Sequence, residues 1–205
     1  MYARVNFIFG AAERVDARIA HIEDAERGIV EVAGGNWGLT TLVNRQDGVI
    51  VAISYWDEPL QSSGAVLTTA RERIAAAAGD DVVVERYEVM IAERLSVPMA
   101  GAAARLTRMQ IEPARLADGI EFVQIEAMPS VRNVPGLSSA ELLVDPSSGN
   151  VVFMTTWRDE DSAARMERLL DHLRDEALER SAAKSWRTEA YIVVRAAVQR
   201  DWPSH

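Results

Sequence analysis

Hydrophobic and polar positions alternate along the chain with two different periods, and the period switches in a regular order. Tyr2 to Phe9 is a short β-rich run, after which Val15, Ile19, Ile22 and Ile29 recur at helical spacing. Gly34-Gly35 breaks that pattern. Leu39 to Val43 and Val49 to Trp56 read as two strands around the turn Gln46-Asp47-Gly48, a hairpin signal. Asp57-Glu58-Pro59 reads as a helix start, because acids suit the positive end of a helix dipole and proline suits the first turn. Val66, Ala70, Ile74 and Ala77 form one stripe of that helix, and Gly79 stops it. Val82 to Ile91 is a final strand, so the order is β-α-β-β-α-β.

The same order then recurs. Arg105 to Ile111 is a strand, Leu116, Ile120, Val123 and Ala127 share a helical face, and Pro129 ends that helix. Leu142 to Val144 and Val151 to Trp157 flank the turn Asp145 to Gly149. Met166, Leu169, Leu170, Leu173 and Ala177 mark a second helix, and Trp186 to Val198 is the last strand. Matching landmarks support an internal duplication. Ala3-Arg4-Val5 matches Ala104-Arg105-Leu106, Gly38-Leu39 matches Gly136-Leu137, Gly48 matches Gly149, and Glu85-Arg86-Tyr87 matches Glu189-Ala190-Tyr191. These pairs lie 101, 98, 101 and 104 residues apart.

The implied fold class is α+β, with two tandem ferredoxin-like βαββαβ units. The expected boundaries are 1–94 and 104–200, with 95–103 as a linker containing Pro98 and Gly101. Strands such as Val5 to Phe9 and Ile192-Val193-Val194 are apolar on both parities, which calls for burial on both faces. The economical cover for the second face is the other unit, sheet against sheet.

Composition narrows the options. The chain has 205 residues and is 48% hydrophobic, enough for a substantial core. There is no cysteine, which excludes disulfides, thiolate metal sites and a cysteine nucleophile and makes a cytoplasmic location the default. A net charge of −9 argues against nucleic acid and anionic membrane as partners. No run reaches the length of a membrane span, and the first residues lack the pattern of a signal peptide.

Three segments carry a family resemblance: Pro135-Gly136-Leu137, the turn Asp145 to Gly149, and Thr156-Trp157-Arg158-Asp159-Glu160-Asp161-Ser162-Ala163. Together they resemble the antibiotic biosynthesis monooxygenase (ABM) group of the dimeric α+β barrel superfamily. Gly38-Leu39, Asp47-Gly48 and Tyr55-Trp56-Asp57-Glu58 form a weaker copy in the first half. The resemblance implies a fused, pseudo-twofold barrel, either a monomeric pseudo-dimer or a homodimer of it. It implies a cofactor-independent monooxygenase acting on a small aromatic or polyketide-like molecule. The group also holds members without known activity, so the alternative is a non-catalytic ligand-binding or structural barrel.

The resemblance nominates Asn6 as an amide anchor, Trp56 and Trp157 as pocket walls and His172 as a base. For the tryptophans the simpler reading is core packing. His21 reads as a helix-surface histidine, and His205 ends the chain. No histidine or carboxylate spacing suggests a metal site. Haem-degrading members of the superfamily combine a strand asparagine, a helix tryptophan and an axial histidine. Here Asn6 and His172 fall in different halves, and Thr107 replaces the asparagine in the second, so no cofactor is expected. The duplication itself is testable. Residues 1–97 and 100–205 expressed separately should aggregate or self-pair, whereas two well-behaved monomeric halves, seen by size-exclusion chromatography, would refute it.

Overall fold

The computed structural model describes residues 1–59, 81–181 and 183–198. The helix expected at Val66, Ala70, Ile74 and Ala77 lies outside them. Strands β1 (Tyr2–Phe9), β2 (Asn36–Asn44), β3 (Val49–Trp56) and β4 (Asp81–Arg94) belong to the first repeat. Strands β5 (Ala103–Gln110), β6 (Leu137–Asp145), β7 (Asn150–Trp157) and β8 (Ser185–Val198) belong to the second. The helices are α1 (Val15–His21), α2 (Arg27–Glu31), α3 (Leu116–Phe122), α4 (Met128–Arg132) and α5 (Glu160–Ser181).

Two compact units emerge. The first holds residues 1–59, 81–87 and 194–198, and the second holds 88–181 and 183–193. Strands β4 and β8, each 14 residues long, therefore run from one unit into the other. The strand order is β4-β1-β3-β2-β8 in the first unit and β8-β5-β7-β6-β4 in the second. In both, the repeat's own four strands have the ferredoxin-like order. Strand β3 pairs antiparallel with β1 and β2, and β7 does so with β5 and β6. The pairs β4–β6 and β5–β8 are antiparallel too. The central strands are buried on both parities, as their two-sided apolarity requires: Ile8 and Phe7 on β1, Leu142 and Leu143 on β6. Strands β4 and β8 are not: Val83 and Ile192 are exposed while Val193 is buried, so the expectation of two-sided burial fails for Ile192-Val193-Val194.

Local structure repeats closely. The hairpin turns place Gly48 and Gly149 at φ of 66° and 77°. A Cβ there would meet the carbonyl oxygen of Gly10 at 2.2 Å and of Ile111 at 1.9 Å, so only glycine fits. Trp56 Nε1 donates to Ser54 Oγ, and Trp157 Nε1 to Thr155 Oγ1, both at 2.9 Å. Tyr87 donates to Glu85 as Tyr191 does to Glu189. One landmark shifts. Gly35 and Gly136 have positive φ, and their carbonyls accept the Asp57 and Arg158 N–H groups at 2.9 and 2.8 Å. The structural partner of Gly136 is therefore Gly35, not Gly38, because backbone geometry and not residue identity defines the match.

The first helical segment of each repeat is interrupted by a π turn, Ile22–Glu26 and Val123–Ala127. A π turn inserts one residue and rotates the rest of the helix about its axis. Val30 is consequently buried where the helical spacing points to Ile29, and Met128 and Val131 extend the buried face of the second repeat. Pro129 does not end its helix. It lies in the first turn after the π segment, where a missing N–H is tolerated.

The acidic start of α5 is a cap. Asp159 Oδ1 accepts the Ser162 N–H at 2.8 Å. Hydrogen bonding to Ser162 and to Arg158 holds the Asp159 carboxyl down at about 2. A value lowered by folding contributes stability above the unfolded value, and that contribution is lost as pH falls toward the folded one. Amide protection in the first turn of α5 should decline as pH drops from about 4 to about 2. In Asp159→Ala it should be low throughout, as measured by hydrogen exchange.

Candidate functional site

The layer of each sheet that faces the helices is where the repeats diverge. In the first unit Ile8 and Ile50 pack with Val15 and Ile22, and Ala52 and Trp56 pack with Val30. Strand alternation puts Arg4 and Asn6 on the same face, paired with Ser54 and Ala52. An offset of 101 residues relates this layer to that of the second unit. Asn6 matches Thr107, Ala52 matches Phe153, Thr41 matches Leu142 and Asn36 matches Leu137, while Glu26-Arg27 matches Ala127-Met128.

In the second unit these positions build one apolar cluster. Phe153, Leu142, Leu137, Met128 and Trp157 pack together with Ala163 and Met166 of α5. The polar members of the layer are paired: Thr107 with Thr188 at 2.9 Å, and Arg105 with Glu160 and Glu167 of α5. Burial alone would lower the Arg105 pKa, but the two carboxylates raise it overall. On the opposite face the buried pair Arg94–Glu141 lies 3.5 Å apart.

In the first unit the described residues form two separate apolar clusters, one around Ile8, Ile22 and Ile50, the other around Val30, Leu39 and Trp56. Polar side chains fall between them. Arg27, 2% exposed, donates to Glu23, Glu31, Thr41 Oγ1 and the carbonyls of Leu39 and Arg195. This engages its whole guanidinium fork, so Arg27 is a clamp between α2 and β2 with no donor left for a ligand. Other groups are unsatisfied. Both carboxylate oxygens of Glu26 and both amide atoms of Asn36 are buried without a hydrogen-bond partner. Asn36 is paired with Trp56 across β2–β3.

Asn6 sits at the middle of this layer. Its Oδ1 accepts from Arg4 Nε at 3.2 Å, and its Nδ2 donates to the Ala52 carbonyl at 3.4 Å. Among the described residues this is the one acceptor of Nδ2, so its second N–H is turned to no other described group. Opposite it, Ala52 supplies only a methyl where the second unit has the ring of Phe153. Of the four residues nominated from sequence, Asn6 and Trp56 thus share one face of the first unit. Trp157 is fully buried in the apolar cluster of the second unit. His172 lies within α5, and its side chain is outside the described residues.

Sequence reasoning missed Glu26, Asn36 and Ala52. The signal that would have found them is comparison of the repeats at a constant offset of 101, which exposes polar-for-apolar and small-for-large exchanges in one layer. No group of three or more potential metal ligands occurs among the described residues, and no helix among them is long and apolar enough to cross a membrane. The clamp gives a stability test. Arg27→Met installs the residue of the matching position but strands Glu23, and should cost about 3 kcal/mol in urea unfolding. Glu23→Gln combined with Arg27→Met should recover part of that loss.

No family model matches the chain. It is 32% identical over 173 residues to the uncharacterized protein Rv2557 of Mycobacterium tuberculosis, an alignment covering 83% of this chain and 76% of that one. Its fold is similar to that of a proposed monooxygenase from Fusobacterium nucleatum, with a TM-score of 0.73, 15% identity, and 97% and 94% of the two chains covered. An anthrone oxidase-like protein gives a TM-score of 0.68 at 14% identity, covering 96% and 93%. A heme-degrading enzyme from Listeria monocytogenes gives 0.52 at 14% identity, covering 92% and 98%. The chain therefore has the ABM-like dimeric α+β barrel fold within a single polypeptide, and it belongs to the family of Mycobacterium tuberculosis Rv2557.

Proposed function

We propose that the first unit binds a small aromatic or polyketide-like molecule between its sheet and the α1–α2 segment, and oxidises it with molecular oxygen without a cofactor. The observation that carries this reading is the exchange of Phe153 for Ala52 beside Asn6. A ring that fills the layer in one repeat is missing from the other, and an amide with an available N–H takes its place. Shared fold with an anthrone oxidase-like protein supports the choice of substrate class. The same reading takes 1–94 and 104–200 as the duplicated repeats, joined by 95–103.

In an anthrone-type substrate the reacting carbon is a CH₂ flanked by aromatic rings. It loses a proton, its electron pair reduces oxygen, a hydroperoxide forms at that carbon, and water leaves to give the carbonyl. The substrate supplies all the electrons, so the protein's tasks are orientation, exclusion of water and proton removal. Asn6 anchors a ligand oxygen, and Trp56 forms a wall of the site. Trp157 and His172 belong to the second unit, where the first-unit site does not use them. A non-catalytic ligand carrier is the second reading, favoured by the absence of a catalytic acid–base set among the four residues nominated from sequence.

The test is a titration with 2-hydroxyanthraquinone, followed by tryptophan fluorescence, together with oxygen uptake on anthrone. Ala52→Phe should weaken binding at least roughly tenfold while the protein stays folded, since a well-packed phenylalanine already occupies the matching place. Trp157→Phe should leave affinity unchanged. Binding without oxygen uptake would select the carrier; equal binding by wild type and Ala52→Phe would refute the site.

A further inference from the structure

Glu26 is the buried group that packing leaves unexplained. It lies on the stripe Ile22, Glu26, Val30, at the junction of the two apolar clusters. It is 2% exposed, and neither carboxylate oxygen has a hydrogen-bond partner. The imidazole Nε2 of His21 lies 3.7 Å from its Oε1. That nitrogen is itself buried and without a hydrogen bond, yet the His21 side chain as a whole is 36% exposed. The imidazole thus links a buried carboxylate to solvent.

The fold does not require this pair. The second unit has Phe122 and Ala127 at the matching positions, and both are buried there in an apolar contact. A buried carboxylate without hydrogen bonds is costly. A side chain kept at such a cost, where an apolar one fits, points to a partner that arrives with the ligand.

We propose that Glu26 takes the proton from the bound ligand and that His21 carries it to solvent. This rests on the ligand site proposed above and specifies the chemistry of its occupant, a planar aromatic molecule with one weakly acidic hydroxyl or activated CH₂. The ligand O–H or C–H bond breaks and its electron pair stays on the ligand. The proton bonds to a Glu26 carboxylate oxygen, then to His21 Nε2, and leaves to water. No electron is exchanged in this step. Arg4, buried on the same sheet face, donates to Asn6 Oδ1 and so orients the amide.

The experiment uses the full chain and 2-hydroxyanthraquinone, whose visible band moves when its hydroxyl ionises. At a pH where the free probe is neutral, wild type should bind it and display the phenolate band. Glu26→Gln should still bind, with the band appearing at least roughly a hundredfold more slowly than in wild type, because the relay sets the rate of proton loss and not its end point. His21→Phe should reach the same final band, with its appearance in stopped-flow slowed roughly a hundredfold. Both variants, and Glu26→Ala, should melt at or above the wild-type Tm. An unchanged rate of appearance of the phenolate band in Glu26→Gln overturns the proposal, as does a Tm lowered by several degrees in Glu26→Ala, which would mark a structural role. Wild type that binds the probe only in its neutral form overturns the proton step and leaves the ligand site standing. Wild type that binds neither this probe nor anthrone overturns both.

Discussion

Strands β1 to β3 and β5 to β7 are buried on both faces, so every side chain they place in the layer beneath the helices must either fill space or find a hydrogen-bond partner. This constraint governs the rest of the molecule. Val5, Phe7 and Ile53 on one face, and Ile8 and Ile50 on the other, meet it by packing. A polar residue placed in such a layer is satisfied, or costs stability, or awaits something.

The two repeats meet the constraint differently although their backbones share the same plan. The second unit packs: Phe153, Leu142 and Trp157 form a continuous layer with α5, and the buried cation of that layer, Arg105, is held by two carboxylates of that helix. The first unit replaces the centre of the layer with charges and amides. Arg27 closes a network around Glu23, Glu31 and Thr41, which makes it a scaffold element. Glu26 and Asn36 remain outside that network. The π turn is common to both repeats, so it belongs to the inherited fold. What distinguishes the first unit is the set of side chains mounted on it.

Duplication offers a physical route to this division. In a single repeated unit, one sequence would have to serve both stability and ligand contact at each layer position. With two copies in one chain, the cost of an unpartnered carboxylate in one unit is offset by an unbroken apolar layer in the other. The 32% identity to Rv2557 and the fold shared with monooxygenase-like proteins set the architecture in a lineage, while chemistry is carried by the few layer positions where the repeats differ.

Element order, the duplication and the hairpin glycines were legible in the sequence because each is a local property. Period and turn conformation involve residues a few positions apart, and Gly48 and Gly149 declare themselves by type and place. Asn6 and Trp56 were nominated from sequence alongside Trp157 and His172; that the first two share one face follows from strand alternation and pairing. Tertiary structure alone decided which side chains are buried once the π turn had rotated the helix, so that Val30 and Glu26 face the sheet while Ile29 only partly does. It also decided that Gly35 is the partner of Gly136, which brings the repeats into constant register and sets Ala52 against Phe153. A charged residue such as Glu26 reads as solvated on any helix; only the sheet across from it determines whether its carboxylate meets water, a partner or neither.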